Sequence, residues 1–554
     1  MLLSILITMG IPSYFSHIIK NYSNIVRSLN YFISKNLLFH HLYMDCNSII
    51  YDAVYGLEAE IQKGEREMPA DFEDTVIAMV IDKIRFYIEL IRPAHTVFIA
   101  FDGVAPFAKM EQQRTRRYKT WFMKNVEMGT DKKISIWNTS AITPGTDFMN
   151  KLSRRINYEF KNSEPKHRVK RMIISCSDEC GEGEHKLYEH MRTNDIFSDN
   201  VAVYGLDADL IMLSIFHLKY CNNIFVFRET PEFLKNSIPV QAMDQNNPKI
   251  PHFLDIKHLS TSIMSEMKCK YPDPIRIHDY VFLCFFLGND FLPHFPAMNI
   301  RTHGIQGLLD IYRLCIGNTP DRFLISKTTG AIVWRNVGLF VNEVAKREHE
   351  FLMNEYFVRD KLDKRRYLET TPLEREETLL NTPVIYRAEE KYICPSEPQW
   401  EKRYYKTLFH GNLKNDSIKN ICINYLEGLE WVYKYYTNAC PDWRWKYKYH
   451  YPPLFADLCK HVPHFETDFV KAGVTKSFSP YTQLAYVLPS SNLELLPKNI
   501  SEFLRNNYGE LYPEDYGFQW TFCRYFWESH PLLPEISSSL LEQWDIQFRM
   551  WSGK

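Results

Sequence analysis

The sequence predicts an α/β protein whose first 340 or so residues form a mostly parallel sheet with helices on both faces. Short apolar segments alternate with helical stretches over about the first 320 residues, a pattern typical of βαβ units. Several of these segments run directly into a carboxylate. From about residue 396 the chain becomes rich in Trp, Tyr, Phe and Pro, which predicts a second, mainly helical region packed on the first.

The strands are predicted from short apolar runs and the helices from longer amphipathic ones. The candidate strands are Leu38–Met44, Thr96–Phe101, Met172–Ser175, Val201–Leu206 and Ile224–Phe227. The candidate helices are Asp71–Ile91, Ala108–Lys124, Gly183–Thr193 and His278–Leu287. Strands and helices therefore alternate along the first region.

The chain divides into three stretches by composition. Residues 9–340 carry the alternating pattern of the first region. Residues 341–395 are highly charged, with clusters at Lys361–Arg366 and Glu374–Glu377, and we expect a helical or irregular connector there. Residues 396–550 form the aromatic-rich second region.

The composition excludes several classes of protein. Apolar residues make up 45% and charged residues 24% of the 554 residues, which excludes a disordered chain. The longest apolar runs, such as Val281–Leu287, fall far short of the ~20 residues of a membrane span. The 12 cysteines show no disulfide framework, so we expect reduced thiols in a cytoplasmic protein, with a nuclear one as the alternative. The net charge is −1, so a basic binding surface would have to be local.

Seven carboxylates are predicted to converge at the carboxyl edge of the sheet. Three predicted strands run into acids, two acids belong to a Gly-Glu-Gly-Glu turn, and one ends a Gly-Asn-Asp turn. The seven are Asp45, Asp102, Glu182, Glu184, Asp207, Asp209 and Asp290. Parallel strands end at the same edge, where ligands bind. For any single Asp a turn or cap is the commoner role, but the shared placement of the set favours a common site.

Such a pocket requires cations, because like charges at close range repel one another. Hard oxygen ligands suit Mg²⁺ or Mn²⁺. Two such ions can activate a water molecule and stabilise the leaving oxygen of a phosphodiester. The acids therefore predict metal-dependent phosphodiester hydrolysis.

A basic helix face follows the second of these acids. At 100° per residue, Lys109, Gln113, Arg116 and Arg117 fall within one arc of roughly 100°. Arg grips phosphate through two parallel hydrogen bonds, and Lys binds it as a point charge, so this face suits a terminal phosphate. A solvated basic face explains this stretch alone equally well.

Aromatic and basic residues crowd together between Trp431 and Tyr451, a segment that includes Trp443 and Trp445. Bases of single-stranded nucleic acid stack on such rings beside cations. Packing in a core is the commoner role of Trp and Tyr at this spacing. Both interpretations stay open, because a single ring is enough to stack on a base.

Together these motifs resemble the XRN family of 5′→3′ exoribonucleases over nearly the whole chain, from Met9 to about residue 545. The order and number of the motifs carry the resemblance, since no single one is specific. They are Met9–Pro12, Tyr43–Asn47, Phe101–Pro106, Ala108–Arg117, Gly181–Lys186, Tyr204–Leu210, Phe286–His294, Gly428–Val432, Tyr449–Pro453 and Gln483–Pro489.

The resemblance implies a PIN-like, flap-nuclease-related catalytic region and a second region that braces it. It implies that the seven acids bind two Mg²⁺ or Mn²⁺ ions. The family's 5′-phosphate pocket is matched by Lys109, Gln113, Arg116 and Arg117. Supporting positions beside the acids are Asn47, His185 and Asn289. The implied activity is processive 5′→3′ hydrolysis of single-stranded RNA with a 5′ monophosphate, which releases nucleoside monophosphates in mRNA decay. We expect a monomer.

The chain departs from the family pattern at three points. Tyr51 stands where the family has a base-stacking His, and it can stack without carrying an imidazole's charge. Its partner in the family is a Trp, matched here by Trp443 or Trp445, of which Trp445 is favoured. We also expect a minimal catalytic core without the family's carboxy-terminal accessory domains. Finally, we expect Met9 rather than Met1 to be the functional start.

Two other functions stay open from the sequence. One is a flap-type or DNA-directed 5′ nuclease on the same scaffold, and the other is a non-catalytic RNA-binding derivative. The basic helix face and the aromatic segment favour single-stranded RNA over the first. The intact set of acids argues against the second.

Overall fold

A computed structural model of the protein describes residues 14–128, 136–205, 208–229, 250–409, 415–471, 473 and 475–552. Among these residues, one sheet of seven strands forms the centre of the first region. Its strands are β1 (Val26–Arg27), β2 (His41–Asp45), β3 (Thr96–Ala100), β4 (Arg171–Ser175), β5 (Asn200–Tyr204), β6 (Asn223–Arg228) and β7 (His252–Asp255). Within the described residues they lie in the order β1-β7-β6-β5-β2-β3-β4. Strands β2 to β6 are parallel, and β7 is antiparallel to both of its neighbours. The predicted mostly parallel sheet is confirmed.

The first region's helices connect and flank these strands. They are α1 (Tyr14–Asn21), α2 (Leu29–Ser34), α3 (Asn47–Gln62), α4 (Phe72–Ile91), α5 (Phe107–Met128), α6 (Asp147–Phe160), α7 (Glu164–His167), α8 (Gly183–Thr193), α9 (Ala208–His217), α10 (Ile256–Met267), α11 (Arg276–Cys284) and α12 (Gly304–Tyr312). The start of α4 shows why the predicted bounds hold, because the Asp71 side chain accepts the backbone N–H of Asp74 at 2.9 Å, as an N-cap does.

Helices pack on both faces of the sheet, as predicted. Successive residues of a strand point to opposite faces. In β2, Leu42 and Met44 join a core with side chains of α3, α4 and α6. Tyr43 joins a different core, with side chains of α8, α9, α10 and α11. Every central strand is therefore buried on two sides, which explains its nearly continuous apolar sequence.

The second region is mainly helical. Its helices are α13 (Trp334–Asp363), α14 (Pro372–Leu380), α15 (Thr382–Ile385), α16 (Ala388–Ile393), α17 (Trp400–Leu408), α18 (Asn415–Thr437), α19 (Phe455–Leu458), α20 (Pro480–Val487), α21 (Lys498–Tyr508) and α22 (Ser538–Ser552). A short antiparallel pair joins β8 (Phe518–Gln519) to β9 (His530–Pro531). Helix α13 runs across position 340, and the charged stretch that follows contains α14 to α16. The predicted domain boundaries stay a prediction.

A hydrophobic core shared by the two regions joins them. It contains Phe286 of the first region, Trp334 of α13, and Leu429 and Trp431 of α18. A smaller core packs α20, α21 and α22 against the start of α5. The second region therefore packs directly on segments that lead to the carboxyl edge of the sheet.

Two predictions about the class of protein have structural counterparts. No helix in the described part of the chain combines the length and apolar character that crossing a membrane requires. All 12 cysteines lie in that part of the chain, and all are free thiols.

Met9 and Asp207, for which the sequence makes predictions, lie outside the described residues. They stay predictions from the sequence.

Candidate active site

The carboxyl ends of β2, β3 and β5 meet where the order of the sheet reverses. Strand β2 has β3 on one side and β5 on the other, so the chain leaves these strands in opposite directions. Ligands of open α/β sheets bind at such a point. Asp45 ends β2, Asp102 follows β3, and Asp209 lies in the first turn of α9 after β5. The structure therefore brings these predicted acids to one edge.

Asp102 is fixed by its neighbours. Its Oδ1 accepts the backbone N–H of Gly183 at 2.7 Å, and its Oδ2 accepts from Nδ2 of Asn47 at 2.5 Å. Oδ1 of Asn47 in turn accepts the backbone N–H of Asp102 at 3.1 Å. A Cβ added at Gly183 would lie 2.7 Å from Oδ1 of Asp45. Glycine is therefore required here, because the backbone approaches two carboxylates closely.

The turn before α8 adds two more carboxylates and a histidine. Potential ligand atoms of Glu182, Glu184 and His185 all lie within 4.8 Å of one another. The His185 ring stacks on Tyr435, with ring centroids 3.6 Å apart. Burial lowers the pKa of His185 well below its usual range, so the ring is neutral and retains a lone pair. This cluster offers two carboxylate oxygens and one imidazole nitrogen to a cation.

Lys109 lies among the acids rather than apart from them. Its ammonium is 2.6 Å from Glu182 and 2.8 Å from Asp290, and the residue is only 4% exposed. Burial lowers the pKa of Lys109, but the attraction of Asp290 and the neighbouring acids outweighs it and raises the pKa well above the usual value. The lysine is therefore charged and neutralises part of the pocket. The phosphate contact predicted for Lys109 stays a prediction.

The turn after α11 presents Asp290 to this lysine. Oδ1 of Asn289 accepts the backbone N–H groups of Phe291 and Leu292, each at 2.9 Å. An Asn side chain that binds its own backbone in this way stabilises a tight turn. Asn289 thus acts on the position of the acid next to it.

Burial and mutual repulsion raise the pKa values of two carboxylates in the pocket. Burial, followed by repulsion from Asp209 and Glu182, raises the pKa of Glu184 well above its usual value. Burial also raises the pKa of Glu182, and repulsion from the negative charge of Asp102 adds to this rise. Buried acids that repel each other are stabilised by a divalent cation. The donor set of this pocket therefore fits Mg²⁺ or Mn²⁺.

Two tyrosines of α18 complete the pocket, and sequence reasoning missed this role. Tyr435 donates its hydroxyl hydrogen to Oε1 of Glu182 at 2.7 Å, and Tyr436 donates to Oδ1 of Asp209 at 2.5 Å. Both rings are buried. In the sequence they are only two tyrosines of an aromatic segment, whose spacing suits a stacking surface or a core.

The basic face of α5 lies beside Tyr51. Arg117 donates to the carbonyl of Ser140 at 3.3 Å and to Oγ1 of Thr143 at 2.5 Å. Burial lowers the pKa of Arg117 to about 10, an effect that the nearby Tyr51 opposes and Arg116 reinforces. Arg117 is therefore still charged at neutral pH. The structure brings Arg116, Arg117 and Tyr51 together, as a phosphate and base site would require.

The amide of Gln113 belongs to the same helix face. Its Oε1 accepts from Nε2 of Gln483 in α20 at 3.3 Å, and Oε1 of Gln483 accepts the backbone N–H of Ala105 at 2.9 Å. Gln113 and Arg116 are both partly exposed. The second region thus orients one member of the predicted phosphate pocket.

The two candidate stacking tryptophans differ in their surroundings. Trp445 is 8% exposed and stacks on Trp431, with ring centroids 5.2 Å apart. Trp443 is partly exposed, and its carbonyl accepts the backbone N–H of Phe107, the first residue of α5, at 3.0 Å. Trp443 is therefore the more accessible of the two rings, and which of them stacks on a base stays a prediction.

Family comparisons cover most of the chain. The model described as "XRN 5'-3' exonuclease N-terminus" matches residues 9–230. The model described as "Xrn1 helical domain" matches residues 273–395 and 386–545.

Several curated proteins are similar to the chain at low identity. It is 25% identical to "5'-3' exoribonuclease 2 homolog" of Drosophila melanogaster, a match that covers 96% of this chain and 70% of that protein. It is 25% identical to "5'-3' exoribonuclease 2" of Gallus gallus, covering 91% of this chain and 64% of that protein. It is also 25% identical to "5'-3' exoribonuclease 1" of Saccharomyces cerevisiae, of which it spans 40%.

A comparison with solved structures matches "The catalytic core of Rad2 in complex with DNA substrate (complex III)" at 15% identity and a TM-score of 0.31. It covers 66% of this chain and 83% of that one.

The two family models together match far more than half of the residues. The chain therefore belongs to the XRN family of 5′-3′ exonucleases.

Proposed function

We propose that this protein is a 5′→3′ exoribonuclease that hydrolyses single-stranded RNA with a 5′ monophosphate and releases nucleoside monophosphates. The observation that carries the proposal is the set of carboxylates at the carboxyl edge of the sheet, of which Glu182, Glu184 and Asp209 are buried. The curated relatives named above are 5'-3' exoribonucleases. The chain spans only 40 to 70% of these three relatives, so their activity is carried over as a proposal.

We assign metal binding to the acidic pocket. Its members are Asp45, Asp102, Glu182, Glu184, Asp209 and Asp290, together with Asp207 from the sequence motif. When bound there, two Mg²⁺ or Mn²⁺ ions would supply the Lewis acidity that activates water and stabilises the leaving oxygen. The fit rests on the buried, mutually repelling oxygen donors, whose pKa values are raised at Glu182 and Glu184.

The chain's own residues hold this pocket in place. Asn47 and the backbone of Gly183 orient Asp102, and Tyr435 orients Glu182. Lys109 places one positive charge between Glu182 and Asp290. Such fixed partners prevent the acids from turning away to solvent, which keeps the ligand set assembled before substrate arrives.

We assign recognition of the RNA 5′ end to the face of α5. Arg116 and Arg117 carry the charge that a terminal phosphate needs, and Gln113 adds an amide. Tyr51 and Trp443 provide partly exposed rings on which the first bases would stack. Stacking requires unpaired bases, which selects single-stranded RNA over a duplex.

The test uses 3′-labelled RNA that carries a 5′ monophosphate, triphosphate or hydroxyl, and matched DNA, with Mg²⁺ or with EDTA. We expect the monophosphate RNA to be degraded at least ~10-fold faster than the other two, because charge-assisted hydrogen bonds contribute ~1.5–3 kcal/mol each. Arg116→Gln should lose this preference. Arg505→Gln, on the exposed side of α21, is the matched control.

The outcomes separate the alternatives. Equal degradation of the three RNA ends would reject the phosphate pocket. Faster loss of DNA would identify a DNA-directed nuclease, and no degradation of any substrate would identify a non-catalytic binder. Retained activity in EDTA would reject the metal assignment. In the cell we propose cytoplasmic mRNA decay by a monomer, which cell fractionation and the accumulation of decapped RNA in a deletion strain would check.

A further inference from the structure

A second cluster of metal-ligand residues lies at the opposite edge of the same sheet. His41 begins β2, His95 directly precedes β3, and Asp199 directly precedes β5. These three strands are neighbours and run parallel. Their amino ends therefore meet, just as their carboxyl ends meet at the acidic pocket.

The distances in this cluster are close to those of a metal site. Nε2 of His41 is 2.8 Å from Oδ2 of Asp199, and Nδ1 of His95 is 3.9 Å from the same oxygen. Potential ligand atoms of all three residues lie within 4.8 Å of one another. A tetrahedral Zn²⁺ with bonds of ~2.0–2.1 Å separates its ligand atoms by about 3.3 Å. The two observed distances bracket that value, so small side-chain rotations would bring the atoms into place.

Backbone hydrogen bonds fix the segments that carry the ligands. The N–H of His95 donates to the carbonyl of His40 at 2.8 Å, and the N–H of His40 donates to the carbonyl of Asn200 at 2.9 Å. Nδ1 of His40 also accepts the N–H of Asn200 at 2.9 Å. That nitrogen is therefore already occupied, and His40 frames the cluster without joining the ligand set.

His41 is the most deeply buried residue of this cluster, at 5% exposed. It faces Asp199 with Nε2, so Nε2 is the nitrogen that would bind the ion.

We infer that His41, His95 and Asp199 bind Zn²⁺, which joins the amino ends of β2, β3 and β5. Two imidazoles and one carboxylate suit Zn²⁺ better than Mg²⁺, which prefers oxygen ligands alone. The side chains of His95 and Asp199 are partly exposed, so the ion can enter from solvent and take water as its fourth ligand. The site is separate from the acidic pocket and does not depend on the proposed nuclease activity.

The experiment measures Zn²⁺ content and thermal unfolding of the full chain after chelator treatment and Zn²⁺ titration in excess Mg²⁺. The test variants are His95→Gln and Asp199→Asn. The matched control is His303→Gln, at an exposed position directly before α12. Glu184→Gln tests whether Zn²⁺ enters the acidic pocket instead. Circular dichroism checks the fold of each variant, and the partly exposed His95 keeps the test decisive if Asp199→Asn fails to fold.

We expect wild type, His303→Gln and Glu184→Gln to bind about one equivalent of Zn²⁺ at this site and to unfold at a higher temperature with it, because a ligand of the native state stabilises by mass action. His95→Gln and Asp199→Asn should bind this Zn²⁺ more than ~10-fold more weakly and lose the shift in Tm. The inference is overturned if these two variants bind Zn²⁺ as wild type does. It is also overturned if only Glu184→Gln loses the ion, or if wild type binds none.

Discussion

Tyr436 donates a hydrogen bond to Asp209 across 227 positions of sequence. Its neighbour Tyr435 makes the equivalent contact with Glu182. Both hydroxyls lie in the second region, and both acids lie in the first. Hydrogen-bond partners of this kind orient a ligand and tune its basicity. Helix α18 is therefore a part of the acidic pocket and not only a support for it.

Removing the Tyr436 hydroxyl tests this relationship. We expect Tyr436→Phe to raise the Mg²⁺ concentration for half-maximal RNA hydrolysis by ~10–100-fold, because Asp209 loses the partner that orients it. Tyr433→Phe is the matched control, since this tyrosine lies on the same helix and donates to the carbonyl of Gly330 instead. An equal effect of both substitutions would mean that the hydroxyls act only on the stability of α18.

Replacing Lys109 should destabilise the metal-free protein. Lys109→Met leaves Glu182 and Asp290 buried without their cation, and breaking a buried ion pair costs ~3–5 kcal/mol. Mg²⁺ should restore more stability to this variant than to wild type, because it takes over part of the neutralisation. Urea unfolding with and without Mg²⁺ measures both effects. Lys498→Met removes an ion pair with Glu502 that is exposed to solvent on both sides and should cost much less; similar losses in the two variants would contradict the role of Lys109.

The stabilisation by Mg²⁺ should grow with pH. Burial, followed by repulsion from Asp209, raises the pKa of Glu184, so the folded metal-free protein holds a proton that the unfolded chain releases. That contribution to stability is complete below the ordinary pKa of 4.5 and is lost as the pH rises through the raised pKa. Because Mg²⁺ competes with this proton, the rise in Tm that it causes should be small at about pH 5 and larger at about pH 8.

Comparison of samples with and without Mg²⁺ isolates this effect from other titrations. Glu348 titrates between these two pH values, because burial raises its pKa to about 7. Its carboxylate accepts the backbone N–H groups of Phe455 and Ala456 and is not one of the proposed metal ligands. Its contribution cancels in the difference. A Mg²⁺ effect that does not vary with pH in wild type would contradict the prediction, and Glu184→Gln should flatten the dependence.

The two tryptophans should respond in opposite ways. Trp443→Ala should weaken binding of single-stranded RNA by ~1–3 kcal/mol and leave the free energy of unfolding nearly unchanged, since this ring is partly exposed. Trp445→Ala should reduce the free energy of unfolding by ~3–5 kcal/mol, because its ring fills the core against Trp431. Fluorescence anisotropy with a labelled RNA and urea unfolding measure the two quantities. A stable Trp445→Ala protein with weak RNA binding would reverse the assignment.

The parallel strands were predictable because each is a short apolar run, and their convergence followed from the shared direction of parallel strands. The predicted strand Leu38–Met44 is observed as His41–Asp45, so the predicted strand starts three residues too early. Strands β1 and β7 were not predicted, because strands of two and four residues are too short to show an apolar pattern.

The site was predictable in part for a different reason. A helical wheel places Lys109, Arg116 and Arg117 on one side of α5, but it gives direction and not depth. The burial of Lys109 between Glu182 and Asp290 depends on how far α5 reaches into the sheet edge. The contacts of Tyr435 and Tyr436 depend on how two distant regions pack, and no local spacing encodes that.

The acidic pocket is completed late in synthesis, because Tyr435 and Tyr436 lie far from the acids along the chain. A growing chain leaves the ribosome amino end first, so the sheet and most of the acids emerge long before α18. Until α18 has folded onto them, the pocket lacks its two hydroxyl donors and the core lacks Leu429 and Trp431. Under the proposed function, the growing chain therefore needs more Mg²⁺ for hydrolysis until α18 has been made and has packed on the sheet.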